Sequence, residues 1–555
     1  MTNAEKNKKF IGHVALWVLA LVLAVLPAHG KHARNGWTYD DDALIVGSDW
    51  YEQPLSWSFL FEDLGDTLVG RPMGYWRPGL TAMYRLEYAL FGKNPAGWHG
   101  TGILLHLAGV LLLFAWARVY LRDTYRAGLV AAIFAVHPAT AEVAGSINFQ
   151  TSAVEGACLF AGLLGLAKGR AWIPALATIG AITQRESAML MPFIFAAIAV
   201  IGPEGVTRES ARRAARLVAP SFAVVAVYWL LRLMAVDSPV LYAPESYPLG
   251  VRVGLIAFLV ARTLLLPLPP FLSILHVPTP SLAPILVGYT TIALVVFLGV
   301  RLVPQYRQRP GDNARPMALY VATGLSLAPY LGFAAPFVLF AEHYLYVPLA
   351  LALAFVASAL PPPTRAVAVV INAAAAILLG GFAAISFIRA DAFVTNDALF
   401  NDVGRKYPDS YYAKKLEGEH AYEDGEMEAA AMAFREALSR PGGDRGEIWN
   451  ALGDVLNHQG RPAAAEECFR RAGPYGEVNL AIVLFNQRKN TDELFGLLNK
   501  IEARGTRRQD MHQLLQMTRK ARREWTKRKQ TPKPAAPTAT PRPEDVADGP
   551  ARPGP

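Results

Sequence analysis

Ile11-Gly12-His13-Val14-Ala15-Leu16-Trp17-Val18-Leu19-Ala20-Leu21-Val22-Leu23-Ala24-Val25-Leu26-Pro27-Ala28 decides the fold, together with Tyr39-Asp40-Asp41-Asp42 just beyond it. The first stretch is apolar and long enough for a membrane helix. The second sets carboxylates side by side just outside that helix. Ionisable groups held near a bilayer are costly, so they point to function. A solvated acidic loop is the plainer alternative. Lys6, Lys8 and Lys9 precede the apolar run. By the positive-inside rule they put the N-terminus in the cytoplasm and the acidic run outside. A cleaved signal peptide also begins with a basic stretch and an apolar middle. Leu26-Pro27-Ala28-His29-Gly30 is a poor cleavage site, which favours an uncleaved first span.

Composition supports a membrane protein. Of 555 residues 53% are hydrophobic, and the mean hydropathy is positive. An ordinary soluble domain is excluded, and a polytopic membrane protein is implied. The formal charge of +9 comes largely from the C-terminal tail and from short loops between apolar runs. It is not a nucleic-acid footprint. Cys158 and Cys468 have neither metal-ligand nor disulfide spacing.

A long first outer loop, 29–96, carries Trp37, Trp50, Tyr51, Trp57 and Phe59, expected at headgroup level. Within it Tyr75 to Phe91 reads as an interfacial helix. Apolar runs then alternate with basic loops at Arg122, Lys168, Arg208 to Arg216, Arg301 to Arg315 and Arg365. Between them lie polar clusters at His137, Arg185 and Glu342. That alternation predicts strict in–out threading with roughly eleven spans. Val251 to Leu266 reads as re-entrant or interfacial, turned back by Leu266-Pro267-Leu268-Pro269-Pro270; a pair of true spans competes. The layout is a cytoplasmic N-terminus (1–10), a transmembrane domain (11–389), a repeat domain (390–503) and a tail (504–555). The odd span count puts the repeat domain outside.

Gly425, Phe434 and Ala437 recur as Gly460, Phe469 and Ala472. A period of ~35 fits tetratricopeptide repeats, stacked helix pairs that form an α-solenoid. Leu480 to Leu498 reads as a degenerate third repeat. A helical hairpin array with no binding role is the alternative. The tail begins with a basic helix and ends Pro/Ala/Thr-rich and disordered.

The polar clusters all fall on the outer side in this threading: Asp40-Asp41-Asp42, Arg71 and Arg77, His137 to Glu142, Arg185-Glu186, and Glu342-His343-Tyr344. One outward cavity would account for them. Singly, each has a plainer reading: His137 before Pro138 as a satisfied helix-end residue, Arg185-Glu186 as a local pair.

Several stretches resemble, in order, the GT-C membrane glycosyltransferases. The closest similarity is to the transmembrane-and-tetratricopeptide-repeat O-mannosyltransferase family and its bacterial relatives. They are Tyr39-Asp40-Asp41-Asp42-Ala43-Leu44-Ile45, Trp76-Arg77-Pro78, Tyr88-Ala89-Leu90-Phe91-Gly92 with Asn94-Pro95, Leu105-His106, His137-Pro138 with Glu142, Gln184-Arg185-Glu186, and Ala341-Glu342-His343-Tyr344-Leu345-Tyr346-Val347-Pro348. Gln184 stands where the family usually has Lys, and His343 where it usually has Arg.

The resemblance implies an all-α, GT-C-like helix bundle using a polyprenyl-phosphate sugar, mannose by the family's suggestion. Transfer to a hydroxyl acceptor would occur on the outer face. The attacking hydroxyl must lose a proton, which a carboxylate can take. Asp40, then Asp41, are the candidate bases, with Asp42 a neighbour that raises the pKa by like-charge repulsion. The leaving phosphate needs cationic donors; Arg77, His137 and Arg185 are candidates, with Arg77 favoured. Glu142, Glu186, Glu342, His343, Tyr344 and Tyr346 would line the cavity. No metal or other cofactor is called for. A protein or glycan acceptor would bind the repeats over 412–498, with the protein in a bacterial inner membrane and its repeats in the periplasm. Rival readings are a flippase of lipid-linked sugars, which predicts an internal repeat among the spans, and a non-catalytic scaffold with partner-binding repeats.

Overall fold

Apolar length dictates the architecture. A computed structural model describes residues 3–38, 40–68, 74–236, 248–265, 281–330, 340–361, 364–441, 443–487 and 492–503. They are helical; the only β feature among them is an isolated bridge between Gly202 and Gly205. The chain forms two compact units, Met1–Gly476 and Glu477–Pro555. In the first unit α1 (Asn3–His29) leads through α2 (Leu64–Leu68) and α3 (Pro78–Phe91) to α4 (Pro95–Leu121), α5 (Thr124–Val136), α6 (Ala141–Gly145) and α7 (Gln150–Ala167). Then come α8 (Trp172–Ile182), α9 (Met191–Val200), α10 (Arg208–Ala235), α11 (Leu249–Leu265), α12 (Leu282–Gln308), α13 (Pro310–Leu327), α14 (Tyr346–Ala359) and α15 (Arg365–Arg389). Helices α16 (Asn396–Lys406), α17 (Tyr411–Glu423), α18 (Met427–Ser439), α19 (Gly446–His458) and α20 (Pro462–Arg471) close the unit.

The protein is an all-α polytopic membrane bundle. By length and composition seven helical stretches among the described residues can cross a membrane, or up to eight if the bent pair Thr124–Val136 and Pro138–Gly145 counts as one. The expected eleven is more than this criterion finds, which leaves aside shorter apolar helices such as Trp172–Ile182 and Glu186–Val200. Helix α8 is a clear case: its 11 residues extend only about 16 Å at 1.5 Å per residue. The bent pair breaks by 58° because Pro138 has no N–H to continue the helix. The first helix belongs to the bundle, with Leu21 and Val25 fully buried in its core. Helix α11 packs along α12, and the Pro-rich turn expected after it lies outside the described residues.

Two ends of this bundle can be told apart. At one end Gly79 N donates to the Thr183 carbonyl at 3.0 Å, and the Tyr228 hydroxyl to the Trp76 carbonyl at 2.7 Å. There too Arg389 Nη1 donates to the Pro138 carbonyl at 2.8 Å, and Gly36 N to the Val394 carbonyl at 2.8 Å. At the other end Arg126 Nη1 reaches the Ala357 carbonyl at 2.9 Å and the Tyr306 hydroxyl the Gly202 carbonyl at 3.0 Å. Asp123 starts α5 there by accepting from Tyr125 and Arg126 N–H, as an N-cap should.

Past the last span, α17 pairs with α18 and α19 with α20. The two pairs are built alike. A Cβ on Gly418 would lie 2.8 Å from the Phe434 ring, and one on Gly453 2.5 Å from the Phe469 ring. Gly425 and Gly460 turn each hairpin with φ of 80° and 71°, a region that favours glycine. The second unit is described by α21 (Glu477–Asn486) and α22 (Asp492–Ala503), a hairpin burying Leu484 and Leu494, with Lys500 paired to Glu477. The degenerate third repeat expected over Leu480 to Leu498 thus falls in a different unit from the first two. The tail 504–555 lies outside the described residues.

Candidate active site

The acidic turn is held by its own backbone and by α16. Asp41 is fully buried, and its carboxylate accepts the Thr38 N–H at 2.9 Å. Burial pushes the Asp41 carboxyl up to about 7; the Thr38 N–H opposes this, and Asp40 and Asp42 add a smaller push. Asp42 is exposed and accepts from Asn396 Nδ2 at 2.7 Å, which ties the turn to α16. Asp40 is half-buried, and the hydroxyls of Tyr75, Tyr84 and Tyr412 feel its charge. Like-charge repulsion thus falls on Asp41, not only on Asp40 as the sequence suggested.

The outer-loop aromatics do not all sit at headgroup level. Trp50, Tyr51 and Phe59 are buried in a small core of the loop's own, with Tyr84 and Trp98. The Tyr51 hydroxyl donates to the Leu44 carbonyl at 2.9 Å, and Arg85 to the Trp50 carbonyl at 2.7 Å. The Tyr51–Leu44 bond ties this small core to the helical turn that follows Asp41. Trp57 alone of that group is largely exposed, at 67%.

Facing the turn are the arginines. Arg77 grips Glu186 through two nitrogens, Nε at 3.0 Å and Nη2 at 2.7 Å, and lies over the Tyr75 ring at 4.2 Å. Its charge is therefore already matched. Arg185 differs. It donates to Ser152 Oγ at 2.6 Å and lies over the Tyr344 ring at 5.3 Å. Among the described residues no carboxylate is within ion-pair distance of it. The Tyr75 ring lies under Arg77, and its hydroxyl also feels the charges of Glu186, Arg185 and, least, Asp40.

The remaining expected residues form an adjoining wall. Glu142 accepts the His343 backbone N–H at 2.7 Å, and the His343 ring stacks on Phe149 at 3.9 Å. Glu342 pairs with Arg389 at 2.5 Å. Tyr344 stacks on Tyr330 at 4.5 Å. Tyr346 is a wedge: its hydroxyl meets His106 Nδ1 at 2.8 Å, and glycines at 109 and 156 make room for its ring. His137 stands apart from the arginines. Its Nδ1 accepts the Ala139 N–H at 3.1 Å, so it caps the helix break, and its ring packs on Phe382. Arg71 lies outside the described residues.

Comparison with known proteins supports the pattern. The chain is 27% identical over 215 residues to Protein O-mannosyl-transferase Tmtc1 of Drosophila melanogaster, a stretch covering 37% of this chain and 24% of that protein. It is 32% identical over 125 residues to Protein O-mannosyl-transferase TMTC2 of Homo sapiens, covering 22% and 15%. The Mus musculus TMTC2 matches to the same extent. The resemblance to O-mannosyltransferases is borne out. Each match spans less than a quarter of the relative's length. No family model matches the chain, and no solved structure does.

Beyond that resemblance the site contains residues the sequence reading passed over. Glu155 is buried on α7 and accepts the Ser187 hydroxyl at 2.9 Å. Its signal was available: a carboxylate inside an apolar run, Thr151 to Ala167. Arg389 also belongs to the wall, and only its place at the end of the last span hinted at that.

Proposed function

We propose that the protein is a membrane glycosyltransferase. It moves a sugar, mannose in the first instance, from a polyprenyl phosphate to a hydroxyl acceptor on the extracytoplasmic face, most simply a protein. Asp40 is the base. The acceptor oxygen bonds to the anomeric carbon as the bond from that carbon to the phosphate oxygen breaks. The acceptor proton passes to the Asp40 carboxylate, and polyprenyl phosphate leaves. Asp40 suits the task because it is half-buried and next to a more buried acid; a general base must meet its substrate.

Arg185 is the donor-phosphate residue. A leaving phosphate gains most from a cation without a direct ion pair, and among the described residues Arg185 is held by a serine and an aromatic ring, with no carboxylate in ion-pair contact. Arg77 shapes the site through Glu186 and lends its charge at second hand. Glu142, His343, Glu342 and Tyr344 wall the chamber. The paired helices α17 to α20 read as tetratricopeptide repeats, and acceptor binding on them fits the link from Asp42 to α16. The GT-C reading also puts the site at the periplasmic end of a bacterial inner membrane. In support, exposed arginines such as Arg212 and Arg213 crowd the opposite end, as cytoplasmic loops do.

The observation that carries this proposal is the Arg77–Glu186 ion pair set over the Tyr75 ring, with Arg185 next in sequence to Glu186 and the half-buried Asp40 close enough for Tyr75 to feel its charge. The test is transfer from radiolabelled polyprenyl-phosphate mannose by the full chain in nanodiscs. Polypeptides bearing Ser and Thr serve as acceptors, and Asp40→Asn and Asp41→Asn are compared with the wild type. Loss of transfer in D40N with the fold intact is the expected result. Undiminished transfer in D40N removes the mechanism.

A further inference from the structure

The chain does not run free between the last span and the repeats. From Arg389 to Asn396 it is sewn to the site end of the bundle at almost every second residue. Arg389 donates to the Pro138 carbonyl at 2.8 Å, and Asp391 pairs with Lys31 at 2.5 Å. The Phe393 ring meets the His32 ring edge-on, with centres 6.0 Å apart. The Val394 carbonyl accepts the Gly36 N–H at 2.8 Å, an approach so close that a Cβ on Gly36 would lie 3.0 Å from that oxygen. Asn396, the first residue of α16, donates to Asp42 at 2.7 Å. Lys31, His32 and Gly36 precede Asp40 in sequence and Asp42 follows it, so these anchors bracket the base. Helix α16 has a second contact on the same face. Phe400 lies four residues beyond Asn396, about 6 Å along the axis. Its ring packs on that of Tyr412 at 5.7 Å, and Tyr412 is the second residue of α17, the first of the paired helices. One helix face touches both the acidic turn and the repeats.

We propose that α16 sets the position of the catalytic base, with Asn396 a positioning residue for Asp40; this rests on the reading of Asp40 as the base. Asn396 acts through Asp42 rather than on the substrate, and the backbone carries its hold to Asp40. Leu44 N donates to the Asp40 carbonyl at 2.9 Å and Gly47 N to the Asp42 carbonyl at 2.8 Å, so residues 40–47 form one helical turn. An exposed hydrogen bond by itself adds little, because water competes for both partners. Here the Gly36–Val394 and Lys31–Asp391 contacts already hold the two segments together, so little further ordering is needed to close the last one. Precision at the base is worth this construction: a displacement of about 1 Å in a reacting group can cost two orders of magnitude in rate. The arrangement also gives α16 a place in acceptor use. A polypeptide seated on α17 to α20 meets a base that is aligned by the helix leading into those repeats.

The experiment compares wild type, Asn396→Ala, Asp42→Ala and the double variant as full chains in nanodiscs. Two readouts are taken: amide hydrogen exchange, which needs no substrate, and the steady-state kinetics of transfer from polyprenyl-phosphate mannose to a Ser- and Thr-bearing polypeptide. In N396A the Leu44 and Gly47 amides should exchange about tenfold faster, with exchange in α4 unchanged as the control for folding. The turnover number should fall about tenfold while KM for the donor lipid stays as it was. On the D42A background the same substitution should add nothing, because residues that act through one contact are not additive. Unchanged exchange at Leu44 and Gly47 in N396A shows that α16 does not hold the turn, and overturns the proposal with the transferase reading left standing. Faster exchange with an unchanged turnover number overturns it too, as does an equal loss from N396A with and without Asp42. A wild type that transfers no sugar overturns the transferase reading, and the positioning role with it, whatever the exchange shows.

Discussion

At one end of the helix bundle charged side chains are largely buried and paired across long stretches of chain, Arg77 with Glu186 and Glu342 with Arg389, while the buried Glu142 accepts the His343 backbone N–H. At the other end Arg122 and Lys168, just past α4 and α7, and Arg212, Arg213 and Arg301, on α10 and α12, are exposed. Both ends are rich in charge, but only the first sets it against a cost. Burying ions repays their desolvation only in good geometry, so a fold that gathers so many has a use for the place. Exposed basic residues cost little and serve to orient the chain.

Breaking the costly end should therefore hurt, and breaking the cheap end should not. The largest effect is expected for Asp40→Asn, a loss of about a thousandfold in transfer at an unchanged melting temperature. Arg212→Gln with Arg213→Gln, in correctly inserted protein, should leave the turnover number as it was. An equal loss in both would erase the distinction between the ends.

The two arginines sharpen the contrast within the site. Arg185→Gln should cut transfer by about a hundredfold with little change in stability. Arg77→Gln strands the buried Glu186 carboxylate and should cost about 3 kcal/mol of stability, read by denaturant unfolding. Adding Glu186→Gln should recover most of it. If R77Q lost only activity and R185Q only stability, the assignments would be reversed.

Smaller effects come from pH. Asp41, raised to about 7, is neutral below that value and adds a second negative charge beside Asp40 above it. The pH profile of transfer should bend near 7, and Asp41→Asn should remove the bend. Glu87, on α3, is buried and raised from 4.5 to about 8. Its folded value lies above its unfolded one, so its contribution to stability is full below 4.5 and lost as pH rises through 8. Glu87→Gln should thus gain in melting temperature over wild type as the pH climbs from about 5 to about 8. A gap that stays constant with pH would mean Glu87 titrates normally.

Much of this was legible in the sequence, for definite reasons. Apolar runs such as Gly97 to Leu121 announce spans because lipid leaves a chain few alternatives. The repeats announce themselves because a glycine must face a phenylalanine at each helix crossing, Gly418 at Phe434 and Gly453 at Phe469. The acidic turn stood out as charge beside a membrane. Other features are settled only by tertiary contact. Local sequence cannot say that Arg77 meets Glu186, or that Arg185 meets a serine. It cannot say that the rings of Trp50 and Tyr51 turn inward, with Tyr51 bonded to the turn after Asp41. The span count is hard to read for a related reason: a helix as short as α8 borrows its burial from α7 and α10, and no local pattern records that.

The most direct measurement is a donor-bound density map of the full chain with polyprenyl-phosphate mannose. Phosphate density beside Arg185, with the anomeric carbon about 3–3.5 Å from a water or acceptor hydroxyl that donates to the Asp40 carboxylate, is the expected result. Phosphate bound instead among Arg212, Arg213 and Arg301, with nothing between Asp40 and Arg185, would contradict it.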